Sequence, residues 1–225
     1  MSTHNSVTKR VMAGLASLLL CSFAVVHTAS ADVLYDAFVD FEISDGEQGW
    51  DVFTGQYTDA HQPDIQGPTS SILTASPAGG IITSTGNLYS MSTVPTYDLQ
   101  ATFLDDAKDY TSVALQMATT GTYNANSFAV GGAAPDEFVK FHEEFFAGFT
   151  YNYYRAEWYG LNSSSVIGAT ITGTPFQVHQ SLAAMRFDYR NTDNSSYNLQ
   201  SVPEPGSLSM IAALIGLAGF RRRRR

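Results

Sequence analysis

The sequence predicts an all-β protein: an antiparallel β-sandwich with one short helix and a hydrophobic helix at each end of the chain. Three observations carry this. Short stretches rich in β-branched and aromatic residues recur through the middle of the 225-residue chain, and several alternate with the period of two expected of half-buried strands. Gly, Asn, Asp, Ser and Pro punctuate the gaps between them. No repeat of fixed period runs through the sequence, so the many short strands favour a sandwich or barrel.

The elements follow in order. Residues 33–41, 71–74, 80–83, 97–103 and 111–119 read as strands in the first half. Residues 151–155, 156–159, 166–171, 176–181 and 184–189 do so in the second. Residues 135–146 break the pattern, because Phe138, Phe141 and Phe145 recur at spacings of three and four. Pro135 suits a first helical turn, and Asp136 and Glu137 complement the helix dipole there. A short amphipathic helix is expected, with a strand pair as the alternative because aromatic residues also favour sheets. The sandwich is expected to span residues 32–190, and the polar run that opens at Asn191 to serve as a linker over 191–201.

The two ends differ from the middle. Lys9 and Arg10 precede an apolar run over residues 11–26, and Ala29-Ser30-Ala31 follows it. This is the layout of a secretory signal peptide over residues 1–31, cut between Ala31 and Asp32 by the general secretion machinery. The run is shorter than the roughly 20 apolar residues of a membrane span. Cys21, the only cysteine, lies inside it. The mature chain is therefore expected to have no disulfide, thiolate metal ligand or cysteine nucleophile. Between residues 32 and 202, the five strong bases Lys108, Lys140, Arg155, Arg186 and Arg190 face twenty Asp and Glu, a net charge of −15. Such a surface repels nucleic acid and anionic lipid.

At the C-terminus Val202-Pro203-Glu204-Pro205 leads into a short transmembrane helix over residues 207–220, then Arg221, Arg222, Arg223, Arg224 and Arg225. The thirteen residues from Leu208 to Phe220 rise about 20 Å as a helix, short for a hydrocarbon core of about 30 Å. The arginines hold the tail on the cytoplasmic side. The prolines keep the segment before it extended and open to a protease. These three parts, in this order, resemble the PEP-CTERM protein-sorting signal of Gram-negative bacteria. The resemblance covers 24 of 225 residues. It implies recognition at Pro203-Glu204-Pro205 by an exosortase, a membrane-embedded cysteine protease. The tail is then removed, after transient anchoring in the inner membrane, and the protein goes to the cell surface or extracellular matrix. An ordinary single-pass anchor is the alternative.

A second resemblance concerns the domain. Phe41-Glu42-Ile43-Ser44-Asp45-Gly46, with Gly49-Trp50 after it, resembles the opening of jelly-roll carbohydrate-binding modules. It implies a jelly-roll-like sandwich in which Met185-Arg186-Phe187-Asp188 returns beside the first strand. It also implies a structural calcium between the two places, with Glu42, Asp45 and Asp188 as ligands by position. Ser44 and Asp45 before Gly46 depart from the short family form. No other cofactor is expected.

Two groups of side chains invite a chemical reading. Tyr151, Tyr153, Trp158 and Tyr159, with Tyr154 among them, form an aromatic stripe that either stacks against sugars or fills the core. Strand alternation sends Trp158 inward and Glu157 to solvent. Glycoside hydrolysis needs two carboxyls about 5–10 Å apart, and Glu143-Glu144 or Glu157 is a candidate. Twenty acids produce such pairs by chance, however. His61 reads as a solvated loop residue and His179 as a strand residue, and His142 lacks the second histidine of a zinc helix. The expected function is a non-catalytic surface or matrix protein with a polysaccharide-binding or biofilm role. The alternatives are a surface glycan-processing enzyme on the same fold and a membrane-anchored structural protein.

Overall fold

The computed structural model describes residues 34–41, 44–65, 71–102, 108–163, 166–173 and 179–196. The expected terminal helices, signal cleavage residues Ala29, Ala31 and Asp32, sorting residues and arginine tail lie outside them. Among the described residues eleven strands form in chain order: β1 (Gly46–Trp50), β2 (Ser71–Ser76), β3 (Ile81–Ile82), β4 (Leu88–Ser90), β5 (Thr96–Thr102), β6 (Tyr110–Thr119), β7 (Phe128–Val130), β8 (Glu137–Phe146), β9 (Phe149–Asn162), β10 (Val166–Thr172) and β11 (Gln180–Thr192). The large sheet runs β3-β4-β11-β6-β9-β8, with β1 also paired to β11. The small sheet runs β2-β5-β10-β7. Every pairing is antiparallel. Only β3–β4 and β8–β9 are sequential neighbours in one sheet, so every other connection crosses between sheets.

Alternation explains the core. Tyr97, Leu99 and Ala101 of β5 and Ile167, Ala169 and Ile171 of β10 point inward, the residues between them outward. They meet Trp50, Leu115, Met117, Trp158 and Phe187 from the large sheet in one cluster. Both indoles satisfy their N–H groups as they are buried: Trp50 Nε1 donates to the His61 carbonyl (3.1 Å) and Trp158 Nε1 to the Ala133 carbonyl (3.0 Å). Residues 185–188 return not beside residues 33–41, the first strand expected, but beside β1, with Gly49 opposite Arg186 and Gln48 opposite Phe187.

The outer face of the large sheet is covered as well. Leu34, Tyr35 and Phe38 pack on Tyr151, Tyr153, Ala118, Ala183 and Ala184. Residues 34–41 therefore form a strap over the sheet rather than the expected strand. Small side chains make room for it. A Cβ on Gly49 would lie 2.1 Å from the Tyr35 hydroxyl, so only glycine lets the ring rest there. Gln116, fully buried, stands in for a strand partner: its amide donates to the Val39 carbonyl (2.8 Å) and accepts from the Val39 N–H (2.9 Å).

Other expectations change too. Residues 137–146 are strand β8, not a helix, and a 3-10 turn forms at Ala125–Ser127. A bulge in β8 between Lys140 and His142 explains the misleading aromatic spacing: it breaks the period of two. Residues 151–159 belong to one long strand, β9. His179 precedes β11 with a φ of 65° instead of lying in a strand. Asn191 and Thr192, the first residues of the expected linker, complete β11. Asn191 accepts a hydrogen bond from Thr111 (2.8 Å) and donates its backbone N–H to Asp45 (2.7 Å).

Candidate functional site

The strap closes over a buried charge network on β1 and β11. Strand alternation aims Arg186 and Asp188 at the outer face, and the register sets Glu47 opposite Asp188. Arg186 grips Asp188 through two bonds, Nε to Oδ2 (2.8 Å) and Nη2 to Oδ1 (3.0 Å). Its Nη1 reaches Asp40 of the strap (2.5 Å), and Nη2 lies 3.1 Å from Glu47. The Tyr35 hydroxyl donates to the other Glu47 oxygen (2.8 Å). One guanidinium thus ties the strap to both strands beneath it.

Burial shapes the acidity of these groups. It pushes the fully buried Asp188 carboxyl up to about 7, against the opposing pull of Arg186. Burial works against the Arg186 charge, yet its bonds to Asp188 and Asp40 and the charge of Glu47 hold its pKa above the ordinary value. Burial, reinforced by Glu47, raises the Tyr35 phenol.

A second network lies on β8 and β9. Glu157 is buried at 3% exposure, where solvent was expected. Its Oε1 lies 2.7 Å from Arg155 Nε, and its Oε2 accepts from the Tyr159 hydroxyl (2.8 Å). That hydroxyl also lies 3.1 Å from Glu137, directly across the strands. One phenolic proton serves one carboxylate at a time. Burial raises the Glu157 carboxyl above its usual range, with the Tyr159 bond and Arg155 opposing. A hydrolase must present its acid to substrate, whereas both Glu157 oxygens are engaged within the sheet. Glu143 is ion-paired with Lys140, and Glu144 accepts from the Tyr153 hydroxyl (3.3 Å).

Asp188 and Glu157 are therefore both harder to ionise in the folded chain than in the unfolded one. Such groups contribute stability that is complete below the unfolded carboxyl value of about 4 and is lost as pH rises through the folded value. The melting temperature is expected to fall between pH 5 and pH 8. Asp188→Asn combined with Glu157→Gln should flatten that slope. A melting temperature that climbs over the interval contradicts this assignment.

The remaining expected site residues are redistributed. Of the glycan-stacking candidates, Tyr151 (5% exposed), Tyr153 (0%) and Trp158 (1%) are buried and present no open ring face. Tyr151 and Tyr153 lie under the strap, Trp158 lies in the sandwich core, and Tyr159 alone of the four keeps partial exposure. Of the calcium candidates, Glu42 lies outside the described residues. Asp188 is occupied by Arg186, and Asp45 accepts from the Asn191 N–H and pairs with Arg190 at 3.5 Å. Among the described residues no group of three or more His, Cys, Asp or Glu is arranged to hold a metal ion. His61 is buried rather than solvated: its backbone bridges to Leu73, and its ring meets Phe53 edge-on. The His179 Nδ1 lies 2.6 Å from the Tyr89 hydroxyl.

Sequence reading missed the Arg186 network. The signal was there: Arg186 and Asp188 sit two apart in the otherwise apolar and aromatic run 182–189, where a buried charge must find a partner. Comparison with known proteins places a PEP-CTERM protein-sorting motif at residues 201–225. No curated protein and no solved structure matches the chain. The motif implies export, a transient hold in the membrane and processing by an exosortase.

Proposed function

We propose that this chain is a non-catalytic β-sandwich protein delivered to the cell surface or extracellular matrix of a Gram-negative bacterium, where it binds polysaccharide. The observation that carries the reading is the sorting motif at residues 201–225, with its Pro-Glu-Pro, apolar run and arginines in order. Charge narrows the ligand. A chain segment with five strong bases against twenty acids repels anionic polymers, which leaves a neutral glycan as the fitting class. The pairing of β1 with β11 supports the likeness to carbohydrate-binding sandwiches. The partly exposed ring of Tyr159 is a contact point for such a glycan.

The test is fractionation of cells expressing the full chain. The wild-type protein should be recovered outside the inner membrane, and a variant with Pro203, Glu204 and Pro205 all replaced by alanine should accumulate in it with the tail intact. Equal distribution of the two removes sorting from the account. Co-sedimentation of the released protein with insoluble neutral polysaccharide tests the ligand class, and recovery entirely in the supernatant contradicts it.

A further inference from the structure

Strand β8 is the last strand of the large sheet, and among the described residues no strand pairs with its outer edge. It is ten residues long and contains no proline. Such an edge offers a row of backbone groups to another strand unless something turns that strand away.

The bulge gives this edge an internal symmetry. Phe138, Lys140, Glu143 and Phe145 stand opposite Ala156, Tyr154, Asn152 and Thr150 of β9. Those are alternate positions of one strand, so the four β8 residues share one face. Without the bulge between Lys140 and His142, Phe138 and Phe145 would fall on opposite faces. Read from either end, the face has the same chemistry: an aromatic ring, a charge, the opposite charge, an aromatic ring. Phe138 is partly buried against the sandwich core, while Phe145 is 75% exposed.

We propose that β8 is a self-association edge that pairs antiparallel with β8 of a second copy of this chain, across a two-fold axis through the bulge. The axis sets Phe138 opposite Phe145 and Lys140 opposite Glu143, each twice. On the other face, Val139 meets Glu144 and Glu137 meets Phe146, so no two like charges face one another in this register. The matching charges pick out a second copy. An unrelated strand meets a lysine and three glutamates on β8 with nothing to answer them. A two-fold, self-complementary contact of this kind closes at a dimer and joins the two large sheets into one.

Lys140 and Glu143 already attract each other within one chain, and their side chains are 39% and 56% exposed. Their replacement leaves the core untouched, which a melting curve of each variant checks. The experiment is sedimentation velocity over a concentration series on protein recovered from cells expressing the full chain, in detergent if the tail is retained. The wild-type protein should dimerise. Lys140→Glu and Glu143→Lys, each alone, place like charges opposite one another twice. Each should raise the concentration for half-dimerisation by about tenfold or more. The double variant, with the charges exchanged, should return to the wild-type value. A wild-type protein that stays monomeric, single variants that dimerise like it, or a double variant that fails to recover each overturns the proposal.

Discussion

Arg186→Met is expected to destabilise the folded protein by about 3–5 kcal/mol, the usual cost of removing one partner from a buried charge pair. The side chain holds Asp188, Asp40 and Glu47 together. Its loss leaves the fully buried Asp188 carboxyl without its cation and beside Glu47, which keeps only the Tyr35 hydroxyl bond. It also cuts the ion pair between Asp40 of the strap and β11. The variant should therefore show faster proteolysis within residues 34–41 as well as a lower unfolding midpoint in urea. Arg186→Met with Asp188→Leu removes the stranded carboxyl too, and should recover part of the loss. A single variant that unfolds at the wild-type midpoint would show that the network does not bind the strap.

Trp158→Ala should have an effect of the same order, about 3–5 kcal/mol, because it opens a cavity at the centre of the sandwich. The indole is 1% exposed and packs in the cluster formed by both sheets. Truncation also removes the indole N–H bond to the Ala133 carbonyl, which keeps only its bond from the Val130 N–H. This outcome distinguishes two roles for the residue. A sugar platform would lose binding on truncation while the unfolding midpoint stayed put. A core residue loses stability first, as equilibrium urea unfolding of the variant will show.

The two sheets were legible because alternation reports burial on one face. Residues 97–102 and 166–171 alternate cleanly, and they form β5 and β10 where expected. Two segments misled for physical reasons. In residues 135–146 a bulge shifts the alternation by one, and aromatic spacings of three and four then imitate a helix. In residues 34–41 the apolar side chains pack downward onto a neighbouring sheet, and a strap needs no pairing partner that a local pattern could reveal. The same cover explains β6 and β11, which are buried on both faces, so that polar Gln116, Arg186 and Asp188 lie in the interior. Tyr151, Tyr153 and Trp158 could not be sorted from sequence, since an amphipathic ring suits a core as well as a binding face. The sorting tail was read in full because its information is linear: three parts in order along the chain, with no dependence on tertiary contacts.

The most direct test of the central claim, that the tail is a sorting signal removed from an exported β-sandwich, is the intact mass of the protein recovered from its own cells, with peptide mapping of both ends. The account predicts a chain beginning at Asp32 and ending between Val202 and Pro205, recovered outside the inner membrane. A chain that retains Arg221 to Arg225 in the inner membrane would contradict it.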